Sequence, residues 1–238
     1  MLVEVWSDVV CPWCYLGKRH LEAALAGFAH ADEIIVEWRS FELDPRAPRR
    51  VEGSLQELIA RKYGMTPEQA AAGNARLTSL AAQVGLPYRL DRVQMGNSFD
   101  AHRLIHLAAT HDLAGVAKER FLAAYFTEGA AIGDPEVLAR LSGDVGLDEA
   151  EVRSVLDGDA FAEDVRADER RAAELEITGV PFFVVDGRWG ISGAQPADTI
   201  LRVLDQAWTD GRPAAEDAPD GGAGTGDGEA CEAGSCAI

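Results

Sequence analysis

The chain has 238 residues, 47% of them hydrophobic and 26% charged, which is the composition of a globular protein with a sizeable core. Its formal net charge is −18 at pH 7. A field of that sign repels nucleic-acid phosphates and anionic membrane surfaces, so we exclude both as partners.

The chain opens with an apolar, β-branched run that predicts a strand, and Cys11-Pro12-Trp13-Cys14 follows directly. Apolar residues then recur at helical spacing, at Leu16, Leu21, Leu25 and Phe28. The cysteines therefore stand at a strand-to-helix junction, where unpaired N–H groups and the helix dipole stabilise a thiolate on Cys11. This pattern predicts a dithiol/disulfide pair in which Cys11 attacks and Cys14 resolves. The alternative is half of a zinc site, or two inert thiols.

A second run of β-branched and aromatic residues, from Ile34 to Phe41, predicts another strand. The order strand, helix, strand favours a parallel pair with a right-handed crossover. His20 lies on the intervening helix, and we interpret it as a surface or capping residue. No basic segment of a secretory signal precedes the first strand, so we expect a protein of the reducing cytosol. In that compartment cysteines more often serve catalysis or metal binding than permanent disulfides.

Residues 54–176 predict one helix after another. Capping-box spacing marks two helix starts, at Ser54 with Glu57 and at Thr66 with Gln69. Later helices are expected to begin at residue 97 or 98, to span 116–126, to begin at Asp134-Pro135 and at Asp148, and to span 161–175. A block of this length exceeds a crossover connection. We interpret it as an all-helical domain inserted into a strand-containing domain of residues 1–53 and 177–208.

Strand character returns from Val180 to Val185, and Asp186-Gly187 predicts the tight turn of an antiparallel hairpin with Trp189 and Ile191. A last helix is expected from Pro196 to about residue 208. Pro181 stands at the very start of the strand, where it removes no ladder hydrogen bond. A cis bond there would turn the backbone of Val180 toward the cysteines for pairing with a substrate strand, although an ordinary X–Pro bond is trans.

The last stretch, residues 209–238, is rich in Gly, Ala, Asp and Glu and has no aromatic residue, so we expect a flexible acidic tail. It carries Cys231 and Cys236 with four residues between them. This pair could relay electrons to Cys11 and Cys14, join them in a four-cysteine zinc site, or be incidental.

Three parts of the sequence together resemble one known family. They are Ser7 to Gly17 around the cysteines, Asn97 to Arg103, and Gly179 to Phe183 with Ile191 to Gln195. These stretches are similar to the DsbA-like thioredoxin family, and within it to the cytosolic FrnE-type branch. That branch neighbours the 2-hydroxychromene-2-carboxylate isomerases and the kappa-class glutathione transferases.

The resemblance covers about residues 1–208 and implies an α/β structure, a thioredoxin fold with an inserted all-helical domain. It implies Cys11 as nucleophile, Cys14 as resolver and Val180–Pro181 as a cis loop. The implied substrate-binding positions are Pro12, Trp13, Val180 and Pro181. We expect protein or small-molecule thiols and disulfides as substrates. No cofactor or resident metal is expected, and glutathione is a candidate reductant.

The sequence departs from the family pattern at two positions. The periplasmic member has a histidine between its cysteines and a buried acid six residues before the first, whereas this chain has Trp13 and Val5. A neutral tryptophan cannot stabilise a thiolate by charge, so we expect a less oxidising pair than in that relative. The isomerase and transferase relatives have serine at the position of Cys11. Cys11 therefore favours redox chemistry, with a glutathione-dependent isomerase or transferase as the alternative. His102 and Arg103 would reach a ligand or stabilise a helix start, and we leave both outside the catalytic set.

Overall fold

The computed structural model describes residues 1–211 of the chain. Its sheet has the strand order β2-β1-β3-β4. The strands are β1 (Leu2–Ser7), β2 (Ile35–Ser40), β3 (Phe182–Val185) and β4 (Trp189–Ser192). β1 pairs with β2 in parallel and with β3 antiparallel, and β3 and β4 form a hairpin. The predicted parallel pair and the predicted hairpin are both confirmed.

Nine α-helices accompany this sheet within residues 1–211. They are α1 (Pro12–Gly27), α2 (Leu55–Tyr63), α3 (Pro67–Gln83), α4 (Phe99–Ala109), α5 (Ala114–Ala123), α6 (Pro135–Asp144), α7 (Glu149–Asp157), α8 (Ala162–Glu174) and α9 (Ala197–Gly211). A turn of 3-10 helix, Ala31–Glu33, precedes β2, and a π-helical turn, Ala124–Glu128, continues α5. Helices α2 to α8 all lie between β2 and β3 in the chain. The division of the chain into two domains stays an interpretation of this order.

The helix starts follow their predicted capping residues with one exception. Ser54 and Glu57 form a complete capping box at α2, and Thr66 and Gln69 form another at α3. At α4 the residue before the helix, Ser98, makes no capping bond, and the Asn97 side chain accepts from the Phe99 N–H at 2.8 Å instead. The last helix ends at Gly211, three residues beyond its predicted end.

Helix α1 lies between two apolar cores. Leu21 and Ala24 pack with the sheet and with Leu204 of α9, whereas Tyr15 and Leu16 belong to the core of the helical block. The opposite face of the sheet is covered by α8, where Ala172 packs with the fully buried Trp6. The helix that carries the cysteines is thus held on two sides. No helix within residues 1–211 combines the length and the apolar character that crossing a membrane requires.

Candidate active site

The two cysteines lie where β1 passes into α1. Cys11 is the residue before the helix and has an extended backbone, with φ −94° and ψ 113°. Pro12 occupies the first helical position, where a missing N–H costs nothing. The Cys14 N–H donates to the Cys11 carbonyl oxygen at 3.0 Å, which closes the first turn. The predicted strand-to-helix junction is therefore present, and it directs the positive end of the α1 dipole at Cys11.

The loop before β3 lies beside this junction, because β3 pairs directly with β1 and Phe182 is opposite Trp6. The Cys11 thiol donates to the Val180 carbonyl oxygen at 3.5 Å. The Val180–Pro181 peptide bond is cis, as the resemblance implies and ordinary X–Pro preference does not. Gly17 makes room for this loop, because a Cβ on it would lie 2.7 Å from Pro181 Cγ and 3.3 Å from Phe183 Cζ. The fold thus brings the predicted positions of the motif and of the cis loop together.

The motif presents Trp13 to solvent and covers both thiols. Trp13 is 45% exposed, whereas Cys11 is 4% and Cys14 2% exposed. The Cys14 Sγ accepts a hydrogen bond of 3.4 Å from the Asp8 N–H. Burial, together with the adjacent Cys11, raises the pKa of the Cys14 thiol well above its ordinary value. Cys14 is therefore a thiol at neutral pH when the pair is reduced, and it must lose a proton before it can attack.

A group of three buried ionisable side chains, Asp8, His102 and Lys118, lies beneath the motif; we call it the buried polar cluster. The Asp8 carboxylate accepts from the Leu43 N–H at 2.7 Å and lies 3.3 Å from His102 Nε2. Burial alone would raise the pKa of Asp8, but the contacts with His102 and Leu43 outweigh it and lower that pKa. Burial also lowers the pKa of His102. The arrangement is a neutral imidazole donating to an ionised carboxylate.

Lys118, on α5, is the third member of the cluster. It is 1% exposed, and its Nζ donates to the Ser7 carbonyl oxygen at 3.1 Å. Burial lowers the pKa of Lys118 to about 8, although the negative charges that Cys14 and Asp8 can carry oppose the shift. A cation from the helical block therefore touches the end of β1, directly below the cysteines.

The sequence pattern does not predict the buried polar cluster. Val5, which stands where a relative has a buried acid, is a core residue, and Asp8 instead supplies a buried carboxylate three residues before Cys11. A signal for Lys118 exists, since it falls among buried apolar residues of α5, beside Ala117 and Phe121. A charge on the apolar face of an amphipathic helix predicts a buried partner.

Neither His102 nor Arg103, the two polar residues of α4 whose role the sequence does not decide, faces the surface of the motif. His102 is fully covered against Asp8. Arg103 donates to the carbonyl oxygens of Ala160 and Gly158 at 2.9 and 2.7 Å, and so ties α4 to the turn before α8. His20 lies half-buried on α1, with its Nδ1 2.8 Å from the Gln195 carbonyl oxygen, which fits the surface role expected for it.

The zinc alternative depends on residues outside the described part of the chain. Within residues 1–211 no group of three His, Cys, Asp or Glu side chains is arranged to hold a metal ion. Cys231 and Cys236 lie beyond that range. Both the four-cysteine site and the electron relay therefore stay predictions.

A family model of the DSBA-like thioredoxin domain matches residues 2–205. The chain belongs to this family. This match confirms the resemblance and the α/β thioredoxin fold predicted from the sequence. Members of the DSBA-like family are thiol–disulfide oxidoreductases.

Named relatives of this DSBA-like chain range from near to distant. The structure of a probable DsbA oxidoreductase from Streptomyces coelicolor is 45% identical, with a TM-score of 0.86 over 95% of this chain and 100% of that one. The uncharacterized protein YwbO of Bacillus subtilis is 28% identical over 205 residues, which are 85% of this chain and 94% of that protein. The cytosolic disulfide reductase DsbM of Pseudomonas aeruginosa, in a structure with GSH, is 17% identical, with a TM-score of 0.61 over 88% and 100% of the two chains. This last likeness concerns the fold alone.

Proposed function

We propose that this protein is a cytoplasmic thiol–disulfide oxidoreductase of the FrnE-type branch, with Cys11 as the attacking and Cys14 as the resolving thiol. The observation that carries the proposal is the 3.5 Å contact between the Cys11 thiol and the Val180 carbonyl oxygen. Through this contact the Cys11 sulfur, which stands at the start of α1, lies beside a stretch of main chain against which an extended substrate can pair.

The reaction needs two exchange steps. In the first, the Cys11 thiolate attacks one sulfur of a substrate disulfide, which forms a mixed disulfide and releases the other substrate sulfur as a thiolate. In the second, the Cys14 thiolate attacks Cys11 Sγ, which breaks the mixed disulfide and releases the second substrate thiolate. Two enzyme sulfurs are oxidised and two substrate sulfurs are reduced. Run in reverse from the Cys11–Cys14 disulfide, the same steps oxidise a substrate dithiol.

The asymmetry between the two thiols favours this order of attack. Cys11 is at the helix start, whereas the raised pKa of Cys14 keeps that thiol protonated until the mixed disulfide has formed. We infer that protein or small-molecule disulfides bind across Val180 and Pro181, with Pro12 and the exposed Trp13 on the other side. Glutathione is the reductant we propose, and the DsbM structure with GSH supports a trial of it in this fold.

The test uses the full chain with Cys231 and Cys236 replaced by serine, so that Cys11 and Cys14 are the thiols that remain of the four in the sequence. Cys11→Ser is expected to reduce insulin no faster than the reductant alone. Cys14→Ser, given oxidised glutathione as the substrate disulfide, is expected to keep the first step: it should accumulate a Cys11–glutathione mixed disulfide, visible by mass spectrometry, and release one reduced glutathione. The matched control is the protein with both motif cysteines intact.

Two outcomes would count against the proposal. Unaltered insulin reduction by Cys11→Ser would overturn the role of Cys11. Saturable glutathione binding with turnover of an aromatic substrate that survives Cys14→Ser would favour the glutathione-dependent isomerase instead.

A further inference from the structure

One peptide group, between Ser7 and Asp8, touches both Lys118 and Cys14. Its carbonyl oxygen accepts from Lys118 Nζ at 3.1 Å, and its N–H donates to Cys14 Sγ at 3.4 Å. Both contacts are buried, and the four residues involved are at most 2% exposed. The two-step chemistry proposed above uses Cys14 but gives no task to this lysine.

We propose that Lys118 is a positioning residue for the resolving step, acting on Cys14 through the Ser7–Asp8 peptide to stabilise the thiolate that attacks the mixed disulfide. The inference rests on the proposed function and names the group that makes its second step feasible.

The physical basis is polarisation of a hydrogen-bonded chain. A cation on the carbonyl oxygen draws electron density from the peptide, which makes its N–H a stronger donor to an anionic sulfur. A hydrogen bond to an ionised group is about twice as strong as one between neutral groups. In a buried site, where water is excluded, its electrostatic attraction is also screened less than at the surface. The cation therefore favours the thiolate over the thiol of Cys14.

The surroundings of Lys118 allow this effect to depend on pH. The charged or titratable groups that face it are Cys11 and Cys14 on the motif, Asp8 before the motif, His102 on α4 and Asp168 on α8. Burial lowers the pKa of Lys118 to about 8. The lysine is cationic below that pH and loses its charge as the pH rises through it.

In the resolving step the Cys14 thiol gives its proton to solvent or buffer, and the resulting thiolate forms a bond to Cys11 Sγ. The bond from Cys11 Sγ to the substrate sulfur breaks, and that sulfur leaves with the electron pair as a thiolate. Lys118 keeps its protons throughout and contributes only its charge.

The experiment resolves the two steps with 5,5′-dithiobis(2-nitrobenzoate) and the reduced full chain carrying Cys231→Ser and Cys236→Ser. Attack by Cys11 releases one thionitrobenzoate in a first phase, and attack by Cys14 releases the second in a later phase. Lys118→Met removes the charge and shortens the unbranched side chain by one atom. We expect it to slow the second phase about ten-fold at pH 7 and to leave the first phase within about two-fold.

The pH profile separates an electrostatic role from a structural one. The ratio of wild-type to Lys118→Met rates in the second phase is expected to be constant below pH 7 and to fall toward one as the pH rises through about 8. A ratio that does not change with pH, or an unaltered second phase, would overturn the inference. Absence of the first phase in the parent protein would count against the proposed function instead.

Lys62→Met is the control. It removes the same charge at an exposed position in the last turn of α2, away from the two helices that carry the cysteines and Lys118. It is expected to leave both phases and their pH dependence as in the parent protein.

A measurement on the protein without any change at position 118 keeps the inference testable if Lys118→Met does not fold. In the oxidised protein neither motif thiol titrates. The Asp8 amide resonance is then expected to shift with pH, with the same midpoint as the Lys118 side-chain signals. An Asp8 amide chemical shift that does not change as Lys118 titrates would contradict the proposed coupling.

Discussion

Asp8 is the residue through which the motif and the helical block are joined. Its N–H contacts Cys14, and its carboxylate contacts both the Leu43 N–H and His102 of α4. Removing one partner from a buried carboxylate costs far more than the pair contributes, because an uncompensated charge remains. The contacts around Asp8 therefore fix the position of its amide beneath the cysteines.

Because His102 is neutral in the folded protein, we expect the free energy of unfolding to depend on pH. Its folded-state pKa lies below the ordinary value of 6.5, so the unfolded chain takes up the proton first as the pH falls. Stability should therefore decrease below about pH 6.5, by at most about 1.4 kcal/mol per pH unit from this group. Urea unfolding of His102→Gln should show a flatter pH dependence between pH 6.5 and 5 than wild type.

His111→Gln is the control for this measurement. His111 is 42% exposed and pairs with Glu151 at the surface, 2.9 Å away, so its loss should leave the pH slope of wild type in place. An equal slope in wild type and His102→Gln would contradict the neutral-imidazole assignment.

At the level of elements, α1 and α5 are joined by a partly buried ionic contact as well as by apolar packing. Glu119 of α5 accepts from Tyr15 at 2.6 Å and from Arg19 at 2.9 Å, and lies 2.7 Å from Lys18 Nζ. Burial alone would raise the pKa of Glu119, but these contacts outweigh it and lower the pKa to about 2. The contact holds the helix of the cysteines against the helix of Lys118.

Glu119→Gln should destabilise the protein by about 1–2 kcal/mol at pH 7, since the carboxylate is one-third exposed and partly screened. The folded-state pKa lies below the unfolded value, so the contribution is complete above about pH 4.5 and is lost as the pH falls toward 2. Chemical unfolding at pH 7 and pH 3 measures this difference. Glu136→Gln, which removes the carboxylate of an exposed pair with Arg153, is the control. A destabilisation that is the same at both pH values would contradict an ionic origin.

The elements that could be predicted from the sequence are those specified by neighbouring residues. Capping boxes join residues three apart, and the hairpin turn needs positive φ at Asp186 and Gly187, which have 47° and 66°. The buried polar cluster could not be predicted this way. Lys118 is 111 residues from Ser7, and His102 is 94 from Asp8, so their contacts exist only after α4 and α5 have packed on α1.

The packing of α9 along α1 sets the distance between the cysteine motif and Gly211, where the last helix ends. α9 runs along α1 in the same direction, because Gln195 contacts His20 and Trp208 packs edge-on against Phe28 at 5.8 Å. Gly211 therefore lies near the end of α1 opposite to Cys11. Sixteen helical residues of α1, about 24 Å, separate those ends.

We propose that Cys231 and Cys236 act as an intramolecular redox partner that exchanges disulfides with Cys11. The nineteen residues from 212 to 230 have the composition of a flexible linker, for which the expected root-mean-square span is roughly 20–25 Å, comparable to the length of α1. An exchanging pair tethered over this distance acts at an effective concentration up to about millimolar.

Replacing both tail cysteines by serine should slow turnover at limiting reductant, independently of protein concentration. Truncation after Gly211 should have the same effect and leave the melting temperature almost unchanged. In Cys14→Ser, a disulfide from Cys11 to Cys231 or Cys236 should be found by peptide mapping. Equal rates with and without the tail thiols, and no such disulfide, would show that the pair is incidental.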